Sequence, residues 1–328
     1  MRHRSGQNVR RGCLSLFAAL LMAAPLAALS QAAFPSKPIR LVVPAAGGTV
    51  DLIARYVAPK LNEAWGQPVI VDTKAGASGN IAASMVAKSP ADGYTILVGY
   101  NPLAISSFLT KNLTYDLADL TPITLAVSSQ QVLVVHADLP ASNLREFISL
   151  AKNRNGALNY ASVSAGSASH LTMESFKTRA GIELKHIPYK GAAPAINDLL
   201  GKSTEAGFFA VANVISYVKA GQLKALAVTG SKRLKSLPGV PSMAESEFPN
   251  FDATIWIGFL APAGTPAPII KKYNQEIVRI FHMPDVRDKI EAADFEVVAS
   301  TPEAFRNFIG SEITTWGKVA KQAGVQLD

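Results

Sequence analysis

The sequence predicts an α/β protein of two lobes, each a mostly parallel β-sheet flanked by helices, with two connecting strands between the lobes. Three observations predict this fold class. Short β-branched runs alternate with amphipathic helical segments over most of the chain, which is typical of β-α-β units. Near residues 123–135 the alternation gives way to two extended runs without a helix. Beyond residue 265 the pattern is helical only.

The first β-α series predicts the start of lobe 1. Strands are expected at 39–43, 69–71 and 94–98, and helices at 50–65 and 81–88. Each strand is a continuous apolar run, as expected for strands that are covered on both faces. The series therefore predicts a parallel sheet whose strands end at one common edge.

The middle of the chain predicts lobe 2. The runs 123–127 and 132–135 are interpreted as the connector out of lobe 1, and the runs 225–229 and 254–260 as the return. The terminal helices have no second sheet of their own, so we expect them to pack on lobe 1. The predicted boundaries are 33–128 plus 230–328 for lobe 1 and 129–229 for lobe 2. The expected strands of lobe 2 are 158–162, 184–189 and 206–209, and its helices are 144–152, 169–179, 192–200 and 213–220.

The last two predicted helices share a start signal. Thr265-Pro266 and Thr301-Pro302 each place an N-capping residue before a proline, and proline is favoured in the first helical turn. These signals predict helices that end near residues 281 and 323.

The first 32 residues are interpreted as a signal peptide. Four arginines and no acidic residue precede an apolar stretch at 14–29, which ends in Ser30-Gln31-Ala32. The stretch is shorter than the ~20 residues that a membrane span needs. We therefore expect cleavage after Ala32 and an exported, periplasmic protein that is not inserted in the membrane. General and twin-arginine export both stay open.

Composition excludes several classes of function. Cleavage would remove Cys13, the only cysteine, and with it any disulfide, thiolate metal site or cysteine nucleophile. It would also lower the net charge from +8 to +4, a dispersed excess that argues against nucleic acid as a partner. The histidines lack metal-site spacing, and the sequence contains no phosphate loop, dinucleotide fingerprint or nucleophile elbow. We expect a monomer with no catalytic residue, metal or cofactor.

The most informative segment is the glycine-rich loop between the first strand and the first helix. It supplies the candidate binding residues Ala46, Gly47, Gly48, Thr49 and Asp51. A helix start exposes unpaired N–H groups with partial positive charge, and glycines let an anion approach them closely. Ligands of open α/β sheets bind at this edge, so a carboxylate is the predicted occupant. The alternative is a plain tight turn in which Thr49 or Asp51 caps the helix.

A second loop of the same kind follows a strand of lobe 2. Its candidate residues are Ser162, Ser164, Gly166, Ser167 and His170. Two hydroxyl-rich loops at helix starts, one in each lobe, are predicted to face each other across a cleft. His170 either reaches a ligand there or completes a local hydrogen-bond network.

Two further candidates lie at the same sheet edge of lobe 1. Ser78 belongs to a glycine-rich segment before the second helix, and Asn101 follows the third strand. A plain loop is the alternative for each. Lys190, after a strand of lobe 2, is interpreted as a solvated lysine that could also assist an anion.

Several motifs resemble one known family along essentially the whole chain beyond the leader. The chain resembles the substrate-binding subunits of tripartite tricarboxylate transporters, the Bug family. The motifs are Phe34-Pro35-Ser36-Lys37-Pro38, the Gly-Gly loop ending in Asp51, Gly66-Gln67-Pro68-Val69, Asp92-Gly93-Tyr94-Thr95, Pro188-Tyr189-Lys190-Gly191, Leu226-Ala227-Val228-Thr229, Leu237-Pro238-Gly239-Val240-Pro241 and Ala261-Pro262-Ala263-Gly264-Thr265-Pro266.

The resemblance implies a type II periplasmic-binding fold and a cleft ligand that is usually a small carboxylate. It also implies transient docking on membrane permease subunits, one large and one small. The family's binding loops fall on residues 46–51, on Asn101 and on residues 162–170. The first loop lacks the aromatic residue that often follows the proline at Pro44, Ser164 replaces a common glycine, and Ala210 replaces a common aspartate.

Transport is the predicted role, and two other roles stay open. The first is a periplasmic sensor that binds the same ligand and docks on a receptor kinase. The second is an enzyme on this fold, against which the missing pair of nucleophile and base argues. The sequence does not name the ligand, because specificity depends on side chains whose positions the pattern does not give.

Overall fold

The computed structural model describes residues 34–46 and 49–325. The predicted signal peptide at 1–32 and the predicted binding residues Gly47 and Gly48 lie outside the described residues. The strands are β1 (Ile39–Val43), β2 (Val69–Thr73), β3 (Thr95–Tyr100), β4 (Leu120–Ser129), β5 (Gln131–His136), β6 (Asn159–Ser162), β7 (Lys185–Pro188), β8 (Ala206–Ala210), β9 (Leu223–Val228), β10 (Ile255–Pro262) and β11 (Glu296–Val297).

Helices follow most of these strands, except that β4 leads directly to β5, and three helices and the short strand β11 come after β10. The helices are α1 (Thr49–Trp65), α2 (Asn80–Ala87), α3 (Pro102–Leu109), α4 (Leu144–Arg154), α5 (Ala168–Ala180), α6 (Ala192–Leu200), α7 (Val211–Lys219), α8 (Ala267–Phe281), α9 (Pro284–Ala292) and α10 (Pro302–Gln322). Within the described residues, no helix combines the length and the apolar character needed to cross a membrane.

Two sheets confirm the predicted α/β fold class. One has six strands in the order β11-β4-β10-β3-β1-β2, and the other has five in the order β7-β6-β8-β5-β9. In the first, β1 pairs in parallel with β2 and β3; in the second, β6 pairs in parallel with β7 and β8. Both sheets are mixed rather than mostly parallel, because β10 and β5 run antiparallel to their neighbours.

The chain crosses between the sheets twice, and the two crossings are hydrogen-bonded to each other. The first runs from β4 to β5 through Gln130, and the second leaves β9 and reaches β10. The N–H of Gly230 donates to Oε1 of Gln130 at 2.9 Å, and Nε2 of Gln130 donates to the carbonyl of Lys232 at 3.0 Å. The predicted lobe boundaries fall beside these crossings and stay a prediction.

Three elements were not predicted, namely α3, α9 and β11. Helix α3 is short and nearly all buried, so its sequence lacks the polar face that produces a helical period. Strand β11 has only two residues. The cap of α4 is Asn143, which accepts from the N–H of Glu146 at 2.9 Å. The N-cap of helix α8 is Pro266, one residue later than the predicted Thr265.

Helix α10 packs against elements associated with both sheets. It packs against α3, β4 and α5. Trp256 of β10 is fully buried, and its ring meets that of Phe305 edge to face with centroids 5.5 Å apart. This contact fixes α10 against β10, so that a residue of α10 can act on the end of β3 and the start of α3.

Candidate functional site

A cavity of about 260 Å³ lies where the parallel strands of both sheets end and the following helices begin. Two strand-to-helix junctions of the first sheet line it, β1 to α1 and β3 to α3. Such junctions expose the first N–H groups of a helix, which have no partner within the helix. The lining residues of these junctions are Ala45, Thr49, Val50, Tyr100, Asn101 and Pro102.

Three junctions of the second sheet line the opposite part of the same cavity. They are β6 to α5, β7 to α6 and β8 to α7, and their lining residues are Val163, Ser167, Ala168, Ser169, Gly191, Ala192, Ala210 and Asn213. The two loops that the sequence predicted to face each other therefore share one cavity. Each sheet contributes helix starts to it, which places the cavity between the two parallel strand sets.

Three of the helix starts at the cavity have no side-chain cap, although Pro102, the first residue of α3, has no N–H of its own. The N-cap residues of α3, α6 and α7 are Asn101, Gly191 and Ala210, and none of them caps its helix with a side-chain hydrogen bond. Each start carries partial positive charge from the helix dipole. Among the described residues that line the cavity there is no Asp, Glu, Lys, Arg or His. The positive potential of the lining thus comes from backbone groups.

Apolar side chains form much of the remaining wall. Phe208 and Phe209 of β8 and Ile257 of β10 are buried in the protein and also line the cavity. Val163 and Ile255 add to this wall. A molecule bound here would place its apolar part against these side chains, which gains about 25 cal/mol for each Å² of apolar surface removed from water.

The serines at the start of α5 are hydrogen-bonded within their own loop. Oγ of Ser167 donates to the carbonyl of Ser164 at 2.7 Å and accepts from the N–H of His170 at 3.3 Å. Oγ of Ser169 accepts from the N–H of Val163 at 3.1 Å. The loop is therefore held rigid by its hydroxyls, and the lining at this junction presents the first turn of α5.

His170 completes a local network behind this loop. Its Nδ1 accepts from the N–H of Gly166 at 3.0 Å, and its ring stacks on that of His186. Nε2 of His186 is 2.6 Å from Oγ of Ser162, and the ring of His186 stacks on Tyr160 with centroids 4.9 Å apart. Burial lowers the pKa of both histidines to about 4, so both are neutral near pH 7.

Asn101 lines the cavity, but its side chain is used by the scaffold. Nδ2 donates to the carbonyl of Thr254 at 2.9 Å and to Oε2 of Glu312 at 3.3 Å. Oδ1 accepts from the N–H of Trp256 at 3.0 Å. Asn101 therefore joins the start of α3 to β10 and α10, and its backbone and position, rather than its amide, are what it presents to a ligand.

Ten of the predicted site residues lie within the part of the chain that the structure describes; three of them line the cavity and seven do not. Thr49, Asn101 and Ser167 line it, and Ser162, Ser164, Gly166 and His170 form a layer behind Ser167. Ala46 is exposed and does not line it; Asp51 is buried and accepts from Nε of Arg55 at 2.9 Å. Ser78 is exposed and lines a separate small crevice with Gly79 and Tyr100.

Sequence reasoning predicted the helices α6 and α7 but did not identify their starts as parts of the site. It also did not identify Glu312. Gly191 was noted only as part of a motif, although it ends a strand and precedes a helix in the same way as the two predicted loops. Ala210 was noted only as the replacement of a common aspartate of the family, and Asn213 only as the first residue of a predicted helix. Glu312 lies 211 residues from Asn101, so no local pattern could have linked the two.

Comparison with known proteins supplies the family. A sequence profile described as "Tripartite tricarboxylate transporter family receptor" matches residues 53–325. The chain belongs to this tripartite tricarboxylate transporter receptor family. It is 37% identical to the protein BugT of Bordetella pertussis over 305 residues, which cover 92% of this chain and 94% of BugT. The predicted family is thereby confirmed.

Solved structures of similar proteins agree with this family. The structure described as R. palustris Rpa4515 with adipate is 34% identical, with a TM-score of 0.83, and the match covers 89% of this chain and 99% of that one. The periplasmic binding protein BugD is also 34% identical, with a TM-score of 0.79, and the match covers 89% of this chain and 99% of BugD. The tripartite tricarboxylate transporter receptors are periplasmic solute-binding proteins, and this member is a binding protein and not an enzyme.

Proposed function

We propose that this protein captures a small organic carboxylate in the cavity between its two sheets and delivers it to the permease of a tripartite tricarboxylate transporter. The observation that carries the proposal is the convergence of five helix starts, from α1, α3, α5, α6 and α7, on one cavity. Backbone N–H groups at helix starts bind anions without a charged side chain. A 34% identical protein with adipate in its structure supports a carboxylate.

The lining also narrows the chemistry of the ligand. No carboxylate side chain lies among the described residues of the lining, so an ammonium group would lose its hydration without gaining a charged partner. The apolar wall at Phe208, Phe209 and Ile257 suits an uncharged carbon skeleton. The proposed ligand is therefore a small carboxylic acid without an amino group, and a volume of about 260 Å³ limits its size.

Four further proposals accompany this function. The first 32 residues direct export and are removed after Ala32, the two lobes have the boundaries predicted above, and the protein acts as a monomer. Mass spectrometry of protein from the periplasmic fraction and light scattering test the first and third. Binding closes the lobes about the two crossings tied by Gln130, in the manner of hinged binding proteins.

A calorimetric panel tests the proposed ligand class. The purified protein is titrated with adipate, hexanoate, benzoate, malate and glutamate, and with hexanamide as the uncharged partner of hexanoate. We expect at least one acid without an amino group to bind, glutamate to bind more weakly, and the amide not to bind. Binding of glutamate alone, or equal binding of hexanamide and hexanoate, would contradict the proposal.

Uptake measurements test delivery. Deleting the gene while leaving the permease genes intact should abolish uptake of the radiolabelled acid that binds most tightly in the panel. Reintroducing the gene should restore uptake. Normal uptake in the deletion strain, together with loss of a transcriptional response to that acid, would instead support the sensor role.

A further inference from the structure

Glu312 lies one hydrogen bond behind the wall of the cavity. Its Oε2 accepts from Nε1 of Trp256 at 2.8 Å, from Nε1 of Trp316 at 3.1 Å and from Nδ2 of Asn101 at 3.3 Å. Asn101 itself lines the cavity. A carboxyl group with three protein donors on one oxygen is thus attached to a residue that an anion in the cavity would meet.

We propose that Glu312 is a positioning residue whose protonation is linked to ligand binding. An ionised Glu312 and an anion in the cavity repel each other, so anion binding is accompanied by proton uptake at Glu312. The inference rests on the proposed function. It follows from geometry, since a negative charge in the cavity and one on Glu312 repel each other across the buried side chains of Asn101 and Trp256.

Opposing effects of its surroundings place the pKa of Glu312 near neutral pH. Burial raises the pKa of Glu312 to about 7, and the negative charge of Asp252 acts in the same direction. The hydrogen bonds from Trp256, Trp316 and Asn101 favour the ionised form and oppose this shift. An added negative charge in the cavity would raise the pKa of Glu312 further.

The elements packed against Glu312 supply few other charges. Helix α3 and the strands β4 and β10 contain no titratable residue. Those of α5 have partners of their own: the N–H of Gly166 donates to Nδ1 of His170, Glu174 binds Lys177 at 2.9 Å, and Arg179 donates to the carbonyl of Asn250. Asp252, in the segment before β10, is the charged group that acts on Glu312.

Two of the hydrogen bonds of Asn101 do not involve Glu312. Its Nδ2 also donates to the carbonyl of Thr254 at 2.9 Å, and its Oδ1 accepts from the N–H of Trp256 at 3.0 Å. Protonation therefore changes the charge behind Asn101 without releasing the start of α3. Affinity for an anion should be highest below the pKa of Glu312 and should fall as pH rises through about 7.

A fluorescence titration tests the ionisation without any ligand. Two of the three tryptophans donate to Glu312, so their emission should change with a midpoint near pH 7, as expected from the pKa of Glu312. The midpoint should vanish in E312Q and should move to lower pH in D252N, which removes the repulsion and retains Glu312. E303Q, on the exposed first turn of the same helix, is the matched control and should keep it. A wild-type protein without such a midpoint overturns the inference.

Calorimetry with the tightest binder of the panel tests the coupling. Repeating the titration near pH 7 in buffers of different ionisation enthalpy measures proton uptake directly. We expect net uptake in the wild type and in E303Q, several-fold weaker binding at about pH 8.5 than at about pH 6, and neither effect in E312Q. Binding without uptake and with the same affinity at both pH values overturns the inference and leaves the proposed function standing; a protein that binds no acid of the panel fails the proposed function itself.

Discussion

His170 and His186 lie face to face, with ring centroids 3.8 Å apart and planes inclined by 11°. Burial lowers the pKa of each to about 4, and the neighbouring histidine contributes to the shift of His186. The stack lies directly behind the start of α5, because Nδ1 of His170 accepts from the N–H of Gly166. Two stacked neutral rings thus support one of the helix starts that line the cavity.

This pair predicts a loss of stability in acid. A histidine whose folded-state pKa lies below its ordinary value of 6.5 stabilises the fold above that value, and the contribution declines as pH falls from about 6.5 toward 4. Chemical denaturation across this range should show a smaller decline in H186Q than in the wild type. H282Q, which changes an exposed histidine, serves as the control and should follow the wild type. Parallel curves for H186Q and the wild type would refute the assignment.

A second prediction concerns Ala210 at the start of α7. A210D places a carboxylate in the cavity, where it repels an anion, and at an N-cap, where aspartate is favoured. The folded protein should be as stable as the wild type or more so, while binding of the tightest acid should weaken by about tenfold or more, or ~1.4 kcal/mol. Binding of glutamate relative to that acid should improve.

The control for this variant lies on the same helix. Ala212 is exposed and does not line the cavity, so A212D adds the same charge outside the site and should leave affinity nearly unchanged. If A210D and A212D bound the acid equally well, α7 would not be part of the binding site.

A third prediction concerns the close packing of β10, which carries Ile255 and Ile257 to the cavity. A Cβ on Gly258 would overlap Cζ of Phe305 and would lie 2.9 Å from the carbonyl oxygen of Thr124. Phe305 is fully buried, so neither neighbour can move away easily. G258A should lower the free energy of unfolding by roughly 1–3 kcal/mol.

Gly310 supplies the opposite result for the same substitution. It lies in α10, where an added Cβ would have no heavy atom within 4 Å apart from its chain neighbours and the backbone of its own helix, and alanine is favoured over glycine in a helix by about 1 kcal/mol. G310A should therefore raise the denaturation midpoint while G258A lowers it. A G258A protein as stable as the wild type would show that β10 has room that the structure does not give it.

Sequence reasoning found the parts of this protein that depend on local pattern. The start of α5 was predicted from a strand, small hydroxyl residues and a helical period, and the structure places Ser167 in the cavity. The same logic missed α3, because a helix that is buried on nearly all sides lacks the alternation of polar and apolar residues that reveals a helical period. It also missed the mixed character of the sheets, because the direction in which a strand joins a sheet depends on how the chain connects the elements in three dimensions.

The chemistry of individual side chains was less predictable. A polar residue at a sheet edge can contact a ligand or the rest of the protein, and the local sequence looks the same in both situations. Asn101 turns its amide to Thr254 and Trp256, and His170 turns its Nδ1 to Gly166. These choices depend on groups that are distant in sequence or on loop geometry, which a local pattern does not encode.

A crystal structure of the complex with the tightest acid of the panel would locate the carboxylate itself. We expect its oxygens to accept hydrogen bonds, directly or through water, from backbone N–H groups at the starts of α1 and α5, with the carbon skeleton against Phe208 and Ile257. A carboxylate paired with a lysine or arginine side chain, or bound outside this cavity, would contradict this expectation.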